Sequence, residues 1–231
     1  MNLQENIHRI KQVMGLVSEL NIKRKSHDSG SYKNVYFSEN NPDIVYKVSD
    51  LGALQYEQAI FGKYPDLFCN PIGEPKKMSE TISRTKGNGE KFEDDVYYLA
   101  YEKLDTEKYM NFYRNMEDTF ENNVNDEIKK EAEEKGWTKK IPNEWGTNDY
   151  FEFCIYNICT DPDKMGAVKL FNTMAPIVKQ ENPNYYNNYL QFIDLLYKIT
   201  SLEEYDSDLY WDFNNGNFGY DKTGKIKCLD I

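Results

Sequence analysis

Asp212, Asn217 and Asp230 have the residue types and spacing that chemistry could use. Asp212 and Asn217 stand five positions apart in Asp212-Phe213-Asn214-Asn215-Gly216-Asn217, and Asp230 follows Asn217 by thirteen. Between them, Phe218-Gly219-Tyr220, the polar turn Asp221-Lys222-Thr223-Gly224 and Lys225-Ile226-Lys227-Cys228-Leu229 predict a β-hairpin. Such a hairpin returns Asn217 and Asp230 to one end of the ribbon. A tight loop eased by Gly216 then sets Asp212 beside them. Two converging oxygen donors suit magnesium, and a carboxylate next to them suits acceptance of a hydroxyl proton. Phosphoryl transfer from ATP needs these groups. The same residues also fit a plain hairpin with acidic turns.

The elements that must position these residues follow from hydrophobic spacing. Leu3, Ile7, Ile10, Met14, Val17 and Leu20 recur at three and four, predicting an amphipathic helix over 3–20 with Asn2 as cap. Asn34–Phe37 and Ile44–Val48, rich in β-branched and aromatic residues around a polar turn at 38–43, predict a hairpin. Ser49 or Asp50 can cap a helix over 51–64, which must end before Pro65. Strands are expected at 76–84 and 95–104, joined by the polar loop 85–91, with 95–101 the best-marked buried strand. Helices follow at 106–135, 164–180 and 185–203, punctuated by Pro162, Pro176 and Pro183. The pattern is α+β with a boundary near residue 104, separating 1–104 from 105–231.

The terminal segment resembles the catalytic loop and metal-binding aspartate of the protein-kinase-like superfamily, H-R-D-x-x-x-x-N followed by D-F-G. The Asn-Gly-Asn wording also resembles aminoglycoside and choline kinases. The resemblance implies that Asp212 is the catalytic base and that Asn217 and Asp230 hold Mg2+. Upstream, Gly30-Ser31-Tyr32-Lys33-Asn34-Val35 resembles the end of the family's glycine-rich phosphate loop, and Ile44-Val45-Tyr46-Lys47 its lysine strand. Lys47 is then the lysine that contacts the ATP phosphates. Glu57, on the next helix, is its carboxylate partner, and Gly30, Ser31 and Val35 belong to the nucleotide site. Tyr101 falls at the gatekeeper position, and Glu102 to Leu104 form the hinge that meets adenine. The implied fold is two-lobed, with a leading helix, antiparallel sheet and Glu57 helix in 1–104, and a truncated helical C-terminal lobe in 105–231. The implied activity is ATP- and Mg2+-dependent transfer to Ser or Thr of host proteins, similar to small phage-encoded kinases. Lys47→Ala is then expected to weaken nucleotide binding or transfer and leave the fold intact.

The motifs cover 28–104 and 205–230, with none nameable in 105–204. Tyr210 and Trp211 stand where the family has His and Arg, which removes the basis for control by a phosphorylated activation loop. Asp28 and Lys33 replace two glycines of the phosphate loop. The sequence stops one residue after Asp230, so no activation segment, no A-P-E motif and no peptide-holding helices are expected. Three alternatives stay open: a weak or inactive kinase-fold module that binds and inhibits a host protein, a small-molecule kinase of the aminoglycoside or choline type, and an acidic mimic of nucleic acid.

Composition sets the remaining bounds. The chain has 231 residues, 39% of them hydrophobic, enough for one large or two small cores. A formal charge of -11 argues against nucleic acid as a partner. No apolar run reaches membrane-span length, and Met1–Asn6 shows no signal-peptide pattern, so a cytoplasmic location is expected, the host's if the gene is a phage's. Cys69, Cys154, Cys159 and Cys228 match no zinc spacing and are expected to be reduced and mostly buried.

Overall fold

The computed structural model describes residues 20–21, 34–38, 41–85, 91–124, 130, 150–160, 165–203 and 215–230. Of the helix expected over 3–20, all but Leu20 lies outside this set, as do residues 28–33 of the expected phosphate loop and Asp212. The architecture is α+β, in two compact units. One comprises Met1–Pro65 and Cys69–Lys103, the other Asp66–Phe68 and Leu104–Ile231.

Among the described residues, the first unit is an antiparallel sheet with one helix. Its strands are β1 (Leu20–Asn21), β2 (Asn34–Ser38), β3 (Ile44–Ser49), β4 (Pro71–Thr85) and β5 (Lys91–Glu102), in the order β1-β2-β3-β5-β4. Leu20, expected in a helix, instead pairs with Ser38. The β2–β3 turn closes through Asn41, whose carbonyl accepts the Ile44 N–H at 3.1 Å and whose side chain accepts the Asp43 N–H at 3.1 Å. Helix α1 (Leu51–Lys63) follows β3. Of the two possible caps, Asp50 serves, accepting the Ala53 N–H at 2.9 Å. The helix stops before Pro65, where Tyr64 donates to the Ile60 carbonyl. Its buried face is Leu54, Glu57, Ile60 and Phe61, an apolar stripe with one acid in it.

The two long strands depart from expectation. β4 starts at Pro71 rather than 76, β5 at Lys91 rather than 95, and β5 ends at Glu102 rather than 104. Thr85 and Lys91, expected in a loop, pair with each other. Their polar residues read as loop because a buried strand would exclude them. Of β5, however, β3 pairs with 97–102 alone, so among the described residues 91–96 meet no strand on that side. Asp95 in that stretch is exposed and ion-paired with the exposed Lys77 of β4. Register shifts between Ile72 and Lys76 and between Lys77 and Thr81 bend the outer strand.

The second unit packs helices around aromatic side chains. These are α2 (Thr106–Asn123), α3 (Tyr150–Thr160), α4 (Met165–Glu181) and α5 (Tyr186–Ile199). Tyr109, Phe112, Tyr113, Met116 and Phe120 form the buried stripe of α2. That helix closes at Val124, whose N–H donates to Phe120, rather than running to 135, because Asn122, Asn123 and Asn125 favour a stop. α4 runs through Pro176 instead of breaking there. The last pair of strands, β6 (Phe218–Tyr220) and β7 (Ile226–Cys228), joins this core. Phe218 lies 5.1 Å from Phe192 and 5.5 Å from Tyr109, ring to ring. No helix among the described residues is long and apolar enough to cross a membrane.

Candidate functional site

The first unit brings Lys47 and Glu57 together. Both are buried, at 3% and 0% exposure, and the Lys47 ammonium donates to Glu57 Oε1. β3 carries Lys47 on the face that α1 covers, and α1 presents Glu57 from its buried stripe. The Tyr101 hydroxyl donates to Glu57 Oε2 at 3.3 Å. The ammonium also sits 4.8 Å from the centre of the Tyr101 ring and 5.1 Å from that of Phe61. Moving two charges out of water is unfavourable unless each is tightly matched, and the match here is an ion pair walled by aromatic faces. This burial alters what Lys47→Ala should do: the change leaves a buried carboxylate without its cation, so the fold is not expected to stay untouched.

The other nucleotide-site candidates are spread more widely. Gly30 and Ser31 lie outside the described residues. Val35 is the register partner of Lys47 across β2–β3, with 45% of its surface exposed. Glu102 ends β5, and its N–H donates to Asn70 O at 2.9 Å while its carboxylate accepts the Asn70 N–H at 2.8 Å. The next N–H, of Lys103, donates to Asp43 O at 2.8 Å. Leu104 is buried and belongs to the second unit.

That unit holds Asn217 and Asp230 at the open end of one hairpin. Asn217 closes a short 3-10 turn (Asn215–Asn217) and leads into β6. Its carbonyl accepts the Leu229 N–H at 2.7 Å, which places Asp230 one residue beyond the pairing. The Cys228 thiol donates to the Asp230 carbonyl, sulfur to oxygen 3.0 Å. The strand is tied back by Cys228 N–H donating to Leu67 O at 2.8 Å. At the other end, Asp221 accepts from the Thr223 N–H and hydroxyl at 2.8 and 2.7 Å and from the Lys225 N–H at 2.9 Å. Burial pushes the Asp221 carboxyl up, but these hydrogen bonds and the nearby Lys227 charge hold it below its usual value. Gly224, at φ 83°, makes the left-handed step of the turn.

As a donor set, the Asn217 amide oxygen and the Asp230 carboxylate fit Mg2+, which prefers oxygen and commonly takes one or two protein ligands with water and phosphate completing its shell. No cluster of three His, Cys, Asp or Glu side chains suited to a metal occurs among the described residues. All four cysteines are buried free thiols.

Phe61 is not among the residues singled out from the sequence, and Tyr101 is marked there only as the gatekeeper, not as a partner of Glu57. Phe61 follows Glu57 by one helical turn, so the spacing of α1 does mark it as a neighbour. The Tyr101 hydroxyl has no such signal, because its meeting with Glu57 depends on the β3–β5 register, Val45 opposite Tyr101. No protein-family model matches the chain, and no curated protein matches it.

Proposed function

We propose that this chain is an ATP- and Mg2+-dependent phosphotransferase of the protein-kinase-like type, transferring phosphate to Ser or Thr hydroxyls of host proteins, as small phage kinases do. The observation that carries the reading is the buried Lys47–Glu57 pair. An ion pair in this setting adds little stability over apolar residues of the same volume, so its presence calls for another reason. A lysine that grips phosphate oxygens, held in place by a glutamate, is such a reason. The order of elements supports the same reading: Val35 strand, Lys47 strand, Glu57 helix, the strand through Tyr101, helices, then the hairpin from Asn217 to Asp230.

In this reading Asn217 and Asp230 hold the metal, and bound Mg2+ neutralises charge on the phosphates. Lys47 orients the phosphate oxygens, and Glu57 keeps the ammonium in place. Asp212 accepts the proton of the attacking hydroxyl. With the Glu102 and Lys103 N–H groups engaged by Asn70 and Asp43, main-chain donation to adenine falls to Leu104.

One observation favours a second reading, a kinase-fold module that binds and inhibits a host protein. Only 3% of Lys47 is exposed, which leaves little ammonium surface for a phosphate. Transfer of labelled γ-phosphate to proteins of a cell lysate separates the two. The phosphotransferase reading expects labelling that Asp212→Ala and Asp230→Ala abolish. Nucleotide binding without transfer supports the inhibitory module, and labelling that survives both substitutions refutes the assigned roles.

A further inference from the structure

We infer that Tyr101 is the positioning residue of the Lys47–Glu57 pair, its hydroxyl fixing the carboxylate and its ring face fixing the ammonium. Glu57 has two oxygens to hold. Lys47 takes Oε1, and the Tyr101 hydroxyl donates to Oε2 at 3.3 Å. The terminal torsion of a glutamate is soft, so a carboxylate gripped at one oxygen can swing. A second donor on the other oxygen stops that swing and keeps Oε1 turned towards the ammonium.

The ring acts on the other partner. Its centre lies 4.8 Å from the Lys47 nitrogen, so one side chain touches both the cation and the anion of the pair. Phe61 packs edge-on against that ring, centroids 6.0 Å apart at 73°, and offers its own face to the ammonium at 5.1 Å. Tyr101, Phe61 and Glu57 are all fully buried, so none of these contacts is diluted by water. A phenylalanine at 101 would pack as well. A buried phenol without an acceptor is unfavourable, and the acceptor here is the carboxylate.

The catalytic consequence rests on the phosphotransferase reading, whereas the geometric part does not. Tyr101→Phe keeps the ring and removes the hydroxyl. In chain labelled with 15N-lysine, the Lys47 ammonium should give a slowly exchanging proton signal, assigned by its loss in Lys47→Arg. Tyr101→Phe should quicken that exchange and raise the KM for ATP-Mg about tenfold, the scale set by losing one hydrogen bond to a charged group, with a smaller change in kcat. Tyr101→Leu, which also loses the ring, should exceed it in both readouts. Unchanged ammonium exchange in Tyr101→Phe overturns the inference, whatever happens to KM. Faster exchange in a protein whose wild type neither binds ATP nor transfers phosphate leaves the positioning role standing and removes the phosphotransferase reading. If Tyr101→Phe fails to fold, the wild type alone decides. A slowly exchanging Tyr101 hydroxyl proton close to Glu57 supports the inference, and its absence overturns it.

Discussion

Replacing Lys47 by Met removes the ammonium and keeps an unbranched stem of similar bulk. Glu57 is fully buried, so the change takes the Lys47 cation from its carboxylate in a site lined by Phe61 and Tyr101, whose hydroxyl still donates to it. Removing one partner of a buried ion pair typically destabilises by about 3–5 kcal/mol. The two cation–π contacts disappear with the same atom and are part of that figure. A domain stable by about 5–15 kcal/mol loses about a fifth or more of its margin. Because the chain forms two units, a single unfolding curve mixes their responses. Native-state hydrogen exchange at the Val45 and Leu99 amides, in the strands that carry Lys47 and Tyr101, reads the first unit directly. Their exchange should quicken by about a hundredfold or more, the equivalent of the lower bound. Lys77→Met serves as the control: its pair with Asp95 is exposed at 54% and 47%, and no measurable change is expected. Unaltered protection of Val45 and Leu99 in Lys47→Met would refute the burial argument, because a solvated pair gives that result. It follows that transfer by any Lys47 variant must be expressed per folded molecule.

A side chain at Gly219 would place its Cβ 2.6 Å from Leu104 Cβ, so Gly219→Ala should destabilise the second unit by about 1–3 kcal/mol in urea unfolding. Gly62→Ala, on an exposed turn of α1 with nothing within 4 Å, should instead stabilise by about 0.5–1 kcal/mol. Asp221 has a folded-state pKa below its reference value of 3.8, so its contribution to stability is fully present above that value and is lost as pH falls through the folded pKa. The stability gap between wild type and Asp221→Asn should therefore shrink with acid below about pH 4, and a gap that widens there contradicts the assignment.

What could be read from the sequence was local. The β2–β3 and β6–β7 hairpins and helix α1 carry their own signals: alternating apolar residues, Asx and glycine turns, a capping aspartate and a following proline. Lys47 and Glu57 stood out by order along the chain, since both lie on elements that short-range patterns define. Other features depend on partners distant in sequence. Polar residues such as Glu74 and Lys77 hid the full length of β4, because nothing local says that this strand takes the outer place in the sheet, beside β5. Helix α3 escaped notice although its buried Phe151, Cys154, Ile155, Ile158 and Cys159 recur at three and four, because apolar residues between them blunt the polar contrast. Phe153 and Tyr156 add to the apolar run. The need for glycine at 219 depends on the approach of Leu104, 115 positions earlier, which no periodicity encodes.

The trio of Lys47, Glu57 and Tyr101 allows structure and chemistry to be separated by substitution. Lys47→Met with Glu57→Leu removes both charges together, and such replacements are often neutral or stabilising by about 1–4 kcal/mol. The Tyr101 hydroxyl would then lack its Glu57 acceptor, at a cost of about 1–3 kcal/mol, which Tyr101→Phe removes in turn. The triple variant should thus fold at least as stably as the wild type by hydrogen exchange in β3 and β5. A fold that does not need these polar groups keeps them for what they do to a ligand, and the triple variant should transfer no phosphate. If the triple variant is instead as unstable as Lys47→Met alone, the trio is an architectural feature of the sheet and helix. The ion pair could then no longer carry the phosphotransferase reading.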